Sequence, residues 1–339
     1  MRLAEPLRVA IVGCGLIGAK RAGALGVDQL VGTFDVDAAA ARRLAEAHGT
    51  SACSSLEELL ARRADIVVVA TIHSELSRIT CASLEAGSHV LVEKPAGVSG
   101  REVRAIQSAA AAASRLVKVG FNHRFHPGIA RAISEARSLR YGEIFSLRAR
   151  YGHGGRLGYE REWRANPVLS GGGEIVDQGM HLLDLSYALF GELPLAHALI
   201  RTMYWQAPVD DNAVLVLGSP GGTGASDPFA LLAVSWTEWK NTFSLEITCR
   251  EAKLAVDGLV RSYGSQVLRI YRMRPELGPP DLEEVHYPER DLSFEQEWQH
   301  FRAAITAGDA RELAGDLASA HYAWSIVEAA LAKGAGAGQ

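Results

Sequence analysis

Three groups of residues in this 339-residue chain have types and spacings suited to chemistry. The first is Lys94 in "VLVEKPAGVSG", residues 90–100, where a buried-strand pattern ends in Glu93, Lys94 and Pro95. A lysine at a strand tip is either a solvated exit or a cation held against a substrate. The second is Gly13-x-Gly15-x-x-Gly18, directly after a strand pattern and opening a helix. Its glycines permit a tight turn and close approach of backbone to a pyrophosphate, which then sits at the helix N-terminus. Asp35 lies 22 positions after Gly13, at the end of the next strand. A carboxylate there accepts hydrogen bonds from ribose hydroxyls and repels a 2′-phosphate. Arg42 and Arg43 lie only in the following helix, so the pattern predicts NAD rather than NADP.

The third group is Glu174, Asp177, His181 and Asp184 in "SGGGEIVDQGMHLLDL". Offsets of 3, 4 and 3 place them on one helix face. Asp177 falls in the first turn, where the helix dipole stabilises its charge. His181 is one turn on, and such a pair orients an imidazole and stabilises its protonated form, as a general base for an alcohol requires. The bland alternative is a satisfied, half-buried histidine on a solvated acidic face. The glycine run before the helix, where a ligand or backbone can come close, weighs for a site. Asp and His four apart can also chelate a metal, but no third ligand is obvious and His123, His126 and His153 are scattered. No metal is expected.

The elements that position these groups follow from periodicity. Strands are predicted at 7–12, 30–34, 66–70, 90–93 and 116–121, with helices at 16–25, 38–47, 56–61, 76–86 and 103–113. Capping boxes, Ser55 with Glu58 and Ser99 with Glu102, mark two helix starts. Continuous apolar strands alternating with helices mean a parallel sheet covered on both faces, an α/β doubly wound domain. After about residue 125 the pattern changes: in "GEIFSLRARYG", Phe145, Leu147, Ala149 and Tyr151 alternate with Ser146, Arg148 and Arg150. Further strands are expected near 195–204, 213–217, 231–236, 243–249 and 267–271, with one long helix, 174–190, closed by Gly191. This is a large, mostly antiparallel sheet. "GSPGGTGASDP" (218–228) reads as a flexible loop between strands. Helices near 293–307 and 312–332 end the chain before a tail expected to fray. The domains are thus 1–124 and 125–332, with the C-terminal helix able to pack back on the first.

Composition bounds the class. Apolar residues make up 48% and charged residues 22%, with a formal net charge of −4. That gives no electrostatic footprint for nucleic acid or an anionic membrane. No apolar run approaches the ~20 residues that span a bilayer. The start has no signal-peptide layout, and four dispersed cysteines without a CxxC pair fit a reducing cytoplasm, the expected location.

These pieces together resemble the glucose–fructose oxidoreductase/inositol dehydrogenase/rhizopine-catabolism oxidoreductases over nearly the whole chain. The resemblance rests on Gly13–Gly18, the "EKP" of Glu93–Pro95, "VGFNHRF" (119–125) and the "GGG…DxGxHxxDL" of 171–185. It implies a Rossmann domain plus an α/β domain whose large open sheet mediates a homodimer or homotetramer. It also implies that Lys94, Asp177 and His181 are catalytic, with Pro95 after a cis peptide. In that picture the substrate hydroxyl lies among the three, His181 takes its proton, and Lys94 stabilises the developing alkoxide. Cofactor contacts are expected from Gly13, Gly15, Leu16, Ile17, Gly18, Asp35, Thr71, His73, Glu93 and Lys94, and substrate contacts from Asn122 and Arg124. One departure stands in "ATIHSEL" (70–76): Ile72 replaces a common proline and Leu76 a frequent histidine, which can reshape the nicotinamide pocket.

The stretch 151–173 carries Arg156, Tyr159, Arg161, Trp163 and Arg164 among glycines. Aromatic faces suit sugar C–H surfaces and arginines suit hydroxyls, carboxylates or phosphates, so Arg156, Tyr159 and Trp163 are expected at the substrate. The alternative is a surface loop anchored to the core by Trp163. The loop is similar to those of members acting on amino sugars, nucleotide-linked sugars or aminocyclitol glycosides. The expected activity is NAD-dependent oxidation of a secondary ring hydroxyl of a sugar, aminocyclitol glycoside or cyclitol. Its rivals are a keto-sugar reductase, a glycoside hydrolase with transient C3 oxidation, and a non-catalytic sensor.

Overall fold

Five short apolar runs build the first sheet. The computed structural model describes residues 5–222, 224, 226–309, 313 and 315–336. In chain order the first elements are β1 (Arg8–Val12), α1 (Leu16–Gly23), β2 (Gln29–Phe34), α2 (Ala38–Ala47), α3 (Leu56–Ala61), β3 (Ile66–Val69), α4 (His73–Glu85), β4 (His89–Val92), α5 (Gly100–Ala113) and β5 (Val117–Val119). The strands pair in parallel in the order β2-β1-β3-β4-β5. "IVVV" of β3 is buried at every position, as a strand covered on both faces requires. Ser55 and Ser99 each accept from the N–H three residues on, but Glu58 and Glu102 reach past the cap to the residue before it, Ser54 and Val98.

The second set comprises α6 (Pro127–Arg137), β6 (Ile144–Gly152), α7 (Pro167–Ser170), α8 (Glu174–Asp177), α9 (Gly179–Phe190), β7 (Leu195–Arg201), β8 (Asn212–Leu217), β9 (Phe229–Ser235), β10 (Thr242–Cys249), β11 (Ala252–Asp257), β12 (Val267–Arg272) and β13 (Asp281–His286). Eight strands order β13-β12-β11-β10-β6-β9-β8-β7, antiparallel except for the parallel β6–β9 pair. Helices α6 and α9 cover one face. The sheet has two strands, β11 and β13, that alternation in the sequence did not mark. β13 is polar, "DLEEVH", and is fixed by pairing with β12 rather than by an apolar face.

Helices α10 (Ser293–Ala307) and α11 (Leu317–Gly336) follow. The chain divides into two compact units, Met1–Phe121 with Phe294–His321, and Asn122–Ser293 with Tyr322–Gln339. It therefore does not part at a single point near residue 124. Trp298 and Phe301 of α10 complete the core of Val9, Ile11, Ile66 and Leu91 in the first unit, and that apolar burial returns the C-terminal segment to it. Helix α11 continues to Gly336, into the tail that begins at residue 333. Residues 223 and 225 of the 218–228 loop, residue 312 and residues 337–339 lie outside the described residues.

Candidate active site

In the first unit the cofactor candidates Gly13, Asp35, Thr71, Glu93 and Lys94 all follow carboxyl ends of strands in one parallel sheet, the edge where doubly wound sheets take ligands. Gly13 (φ +91°) donates its N–H to the Phe34 carbonyl, and a Cβ there would lie 2.4 Å from the Ala70 carbonyl oxygen. A Cβ on Gly18 would lie 1.9 Å from the Gly13 oxygen. Both glycines are therefore demanded by the fold itself. Gly15 differs, since a Cβ there meets nothing within 4 Å. The space above it is open, at the N-terminus of α1, whose first turn carries no acidic residue. Leu16 beside it is 75% exposed and Ile17 half-buried. Asp35 accepts the Cys14 N–H (2.6 Å) and the Asp37 N–H (2.8 Å), which fixes its carboxylate beside the glycine turn. The donor set, open cradle and acidic strand end fit a dinucleotide.

Thr71 is half-buried, and His73 is buried in the first turn of α4. Ile72 has φ −66° and ψ 155°, the backbone a proline would impose, so its substitution leaves the loop on the same path. Leu76 is fully buried and belongs to the core. Lys94 is half-buried and the Lys94–Pro95 peptide is cis. Glu93, expected at the cofactor, turns its carboxylate to the buried Arg21 (Nη2–Oε1 2.6 Å, Nε–Oε1 2.7 Å). Arg21 also pairs with Glu297 (2.5 Å), and Glu297 with Lys118 (3.8 Å). Burial works against the Arg21 charge, but Glu93 and Glu297 outweigh it and hold the guanidinium above its ordinary pKa. Arg21 carried no signal in the sequence, because its partners lie 72 and 276 residues away.

In the second unit the single helix expected over 174–190 is two. Helix α8 ends at Asp177 and α9 begins at Gly179. The His181 N–H bonds the Gln178 carbonyl (3.1 Å), three residues back, which tightens the turn between Asp177 and His181. Asp210 anchors the start of α8: its carboxylate accepts from the N–H groups of Gly173 (3.0 Å) and Ile175 (2.8 Å). A Cβ on Gly173 would lie 1.9 Å from the Asp210 carbonyl oxygen, which explains that glycine as backbone packing. Burial pushes the Asp210 carboxyl up to about 6, against the lowering effect of those two N–H groups.

His181 is buried with its ring centroid 3.8 Å from that of His123. The histidines that look scattered in sequence therefore converge in part, and His126 lies 5.5 Å from His123. Tyr151 of β6 lies edge-on to His181 at 6.2 Å and beside Tyr263 at 5.4 Å. Gln178 donates to the Tyr263 hydroxyl (3.3 Å). Burial raises both phenols, Tyr263 to about 12, so each remains an O–H donor at neutral pH. Sequence reading placed Tyr151 on the apolar side of its strand but missed it, with Tyr263 and His123, as neighbours of His181. Among the described residues no group of three or more His, Cys, Asp or Glu is arranged to hold a metal ion.

Several expected substrate contacts are engaged otherwise. Arg124 grips Asp184 with two 2.7 Å bonds and anchors its turn to α9. That fork-to-carboxylate geometry fixes the direction of the guanidinium. The Asn122 amide donates to Ser293 (2.8 Å). Arg156 pairs with Glu162 (2.6 Å). Tyr159, only 2% exposed, packs edge-on to Trp236 at 4.9 Å in a small core with Ala165 and Val209. Tyr159, not Trp163, is thus the buried anchor of the loop. Trp163 stays half-buried under the Arg164 guanidinium (4.4 Å), and Arg164 reaches Asp177 (Nε–Oδ2 3.2 Å). The loop is tied directly to the candidate site through a residue that spacing alone could not choose.

The family model described as an oxidoreductase family with an NAD-binding Rossmann fold matches residues 7–121. The model of the GFO/IDH/MocA C-terminal domain matches residues 130–255. A D-glucoside 3-dehydrogenase of Escherichia coli is 30% identical over 195 residues, covering 55% of this chain and 55% of that protein. A myo-inositol dehydrogenase of Streptomyces leeuwenhoekii is 36% identical over 149 residues, covering 42% of this chain and 45% of that protein. The chain thus spans about half the length of these curated relatives. A levoglucosan dehydrogenase solved with NADH superposes with a TM-score of 0.86 at 19% identity over 98% of both chains, which establishes a shared fold.

Proposed function

Because the chain belongs to the GFO/IDH/MocA oxidoreductase family, we propose that it is an NAD-dependent dehydrogenase oxidising a secondary ring hydroxyl of a sugar, glycoside or cyclitol to a ketone. The observation that carries this reading is the gathering of the glycine turn, Asp35 and Lys94 at the carboxyl edge of one parallel sheet, with open space above Gly15. The names of the relatives, a glucoside dehydrogenase and an inositol dehydrogenase, support the substrate class.

When bound, the nicotinamide supplies a hydride acceptor. The chain's own work is binding, charge and proton transfer. The α1 N-terminus binds the pyrophosphate and Asp35 accepts from the ribose hydroxyls, which disfavours a 2′-phosphate. Lys94 supplies a fixed positive charge for the oxygen that becomes alkoxide-like in the transition state. His181 accepts the hydroxyl proton at a ring nitrogen, and Asp177, held by Arg164, stabilises the resulting imidazolium. Tyr151 and His123 pack against the ring and restrict its rotation.

We further propose self-association through the helix-free face of the eight-stranded sheet. The register sets Leu199, Val214, Phe229 and Leu282 on that one face, and all four are exposed. A solution mass of one chain would count against this.

A panel of hexoses, amino sugars, glycosides and cyclitols, each incubated with NAD⁺ and with NADP⁺, tests the activity. NADH formation with at least one member and a preference for NAD⁺ are expected. Tight NAD⁺ binding without turnover of any member would favour a sensor.

A further inference from the structure

We propose that Arg21 is a positioning residue, which ties the carboxyl end of β4, and with it Lys94, to helix α1 and to helix α10. This rests on the dehydrogenase reading above for its catalytic consequence, and on the geometry of the first unit for everything else.

Arg21 stands on the helix that opens over the glycine turn, and its side chain is 2% exposed. One edge of the guanidinium meets Glu93, the residue before Lys94, and another nitrogen meets Glu297 of α10. Glu297 is fully buried and also faces the equally buried Lys118, beside the end of β4 on β5. The Phe294 ring lies 4.6 Å from the guanidinium carbon. Gly120 leaves room for the pair: a Cβ there would lie 2.7 Å from Arg21 Nη2 and 2.9 Å from Glu93 Oε2.

Three buried charges and the half-buried Glu93 are a poor way to dock a helix, since an apolar set of the same volume is commonly as stable or more so. Helix α10 already has another attachment. Trp298 donates to Asp28 (2.9 Å), Arg302 pairs with the same carboxylate (3.0 Å), and Trp298 and Phe301 fill the apolar core. What the Arg21 network adds is direction. It joins the strand end that carries Lys94 to the helix whose N-terminus faces the dinucleotide. A misplacement of about 1 Å at such a charge can cost about a hundredfold in rate.

The test compares Arg21→Met and Glu297→Gln with Arg302→Met, which disturbs the other attachment of α10. NADH dissociation constants, kcat and KM for the ring alcohol most active in the panel, and melting temperatures are measured for each. Networks of this kind modulate coupling by about 0.5–2 kcal/mol, which at about 1.4 kcal/mol per decade means that NADH binding should weaken about two- to thirtyfold in Arg21→Met and Glu297→Gln. Their kcat should fall about ten- to a hundredfold with substrate KM within about twofold. Arg302→Met should lower the melting temperature and leave kcat and NADH affinity unchanged. If all three variants lose only thermal stability, the network is a structural staple and the proposal is overturned. Should Arg21→Met not fold, Glu297→Gln, which preserves shape, decides alone. A wild type that binds NADH yet oxidises nothing in the panel overturns the dehydrogenase reading, while the NADH comparison still decides the network.

Discussion

At the scale of single residues, two side chains carry the sharpest consequences. Lys94→Ala should lower turnover by about 10²–10³-fold, the usual cost of removing one pre-positioned partner of a developing oxyanion, while the melting temperature stays near that of the wild type. Steady-state kinetics and calorimetry together check this. Asp35→Ser should raise kcat/KM with NADP⁺ relative to NAD⁺, because it removes the charge that repels a 2′-phosphate. An unchanged cofactor ratio would count against that role for Asp35. Both positions were legible in the sequence because each ends a strand next to a turn signal, so a few local residues define its setting. Tyr159 was not. Its type suits a sugar face as well as a core, and only the arrival of Val209 from the β7–β8 connection and of Trp236 just after β9 decides for the core. His123 and Tyr151 were missed as companions of His181 for the same reason.

At the scale of elements, the glycine turn separates fold from binding. Gly15→Ala meets open space and has φ −75°, so it should fold with wild-type stability and lose NADH binding. Gly18→Ala would press on the Gly13 carbonyl and should lower the melting temperature as well. Thermal melts with and without NADH distinguish the two. In the second unit Asp211, fully buried, accepts from three successive N–H groups, Met203 (2.8 Å), Tyr204 (2.7 Å) and Trp205 (2.9 Å). Burial alone would raise its carboxyl, but these donors and the Asn212 amide hold it below its usual range. Its stabilisation is therefore complete above the ordinary carboxylate pKa of about 4 and is lost as pH falls through the lowered folded value. Asp211→Asn should cost about 1–3 kcal/mol at neutral pH, and it should flatten that part of the stability–pH curve. The helix over 174–190 was legible as helical but not as two pieces, and the carboxylate that anchors the start of α8 comes from Asp210, 35 residues beyond Ile175.

At the scale of the molecule, the sequence resolved the first sheet, six of the eight strands of the second and the change of pattern near residue 125, since each is written in strand periodicity. It allowed the C-terminal helix to pack back on the first domain, but α11 from Tyr322 on belongs to the second unit, and the return of α10 instead was not resolved. That is set by Trp298 and Phe301 meeting a core built almost 300 residues earlier, and by Glu297 meeting Arg21. The four dispersed charges of that network have no common spacing to read. The central functional claim is hydride transfer from a ring carbon to the nicotinamide, and it is tested most directly by label transfer. Enzyme, NAD⁺ and perdeuterated members of the sugar and cyclitol panel are mixed, quenched during the first turnover, and the recovered cofactor is examined. Deuterium at nicotinamide C4 with the wild type, and its absence with Lys94→Ala, is the expected result, and it registers even if the hydride later returns. Tight NAD⁺ binding with no deuterium in the cofactor from any member would contradict it.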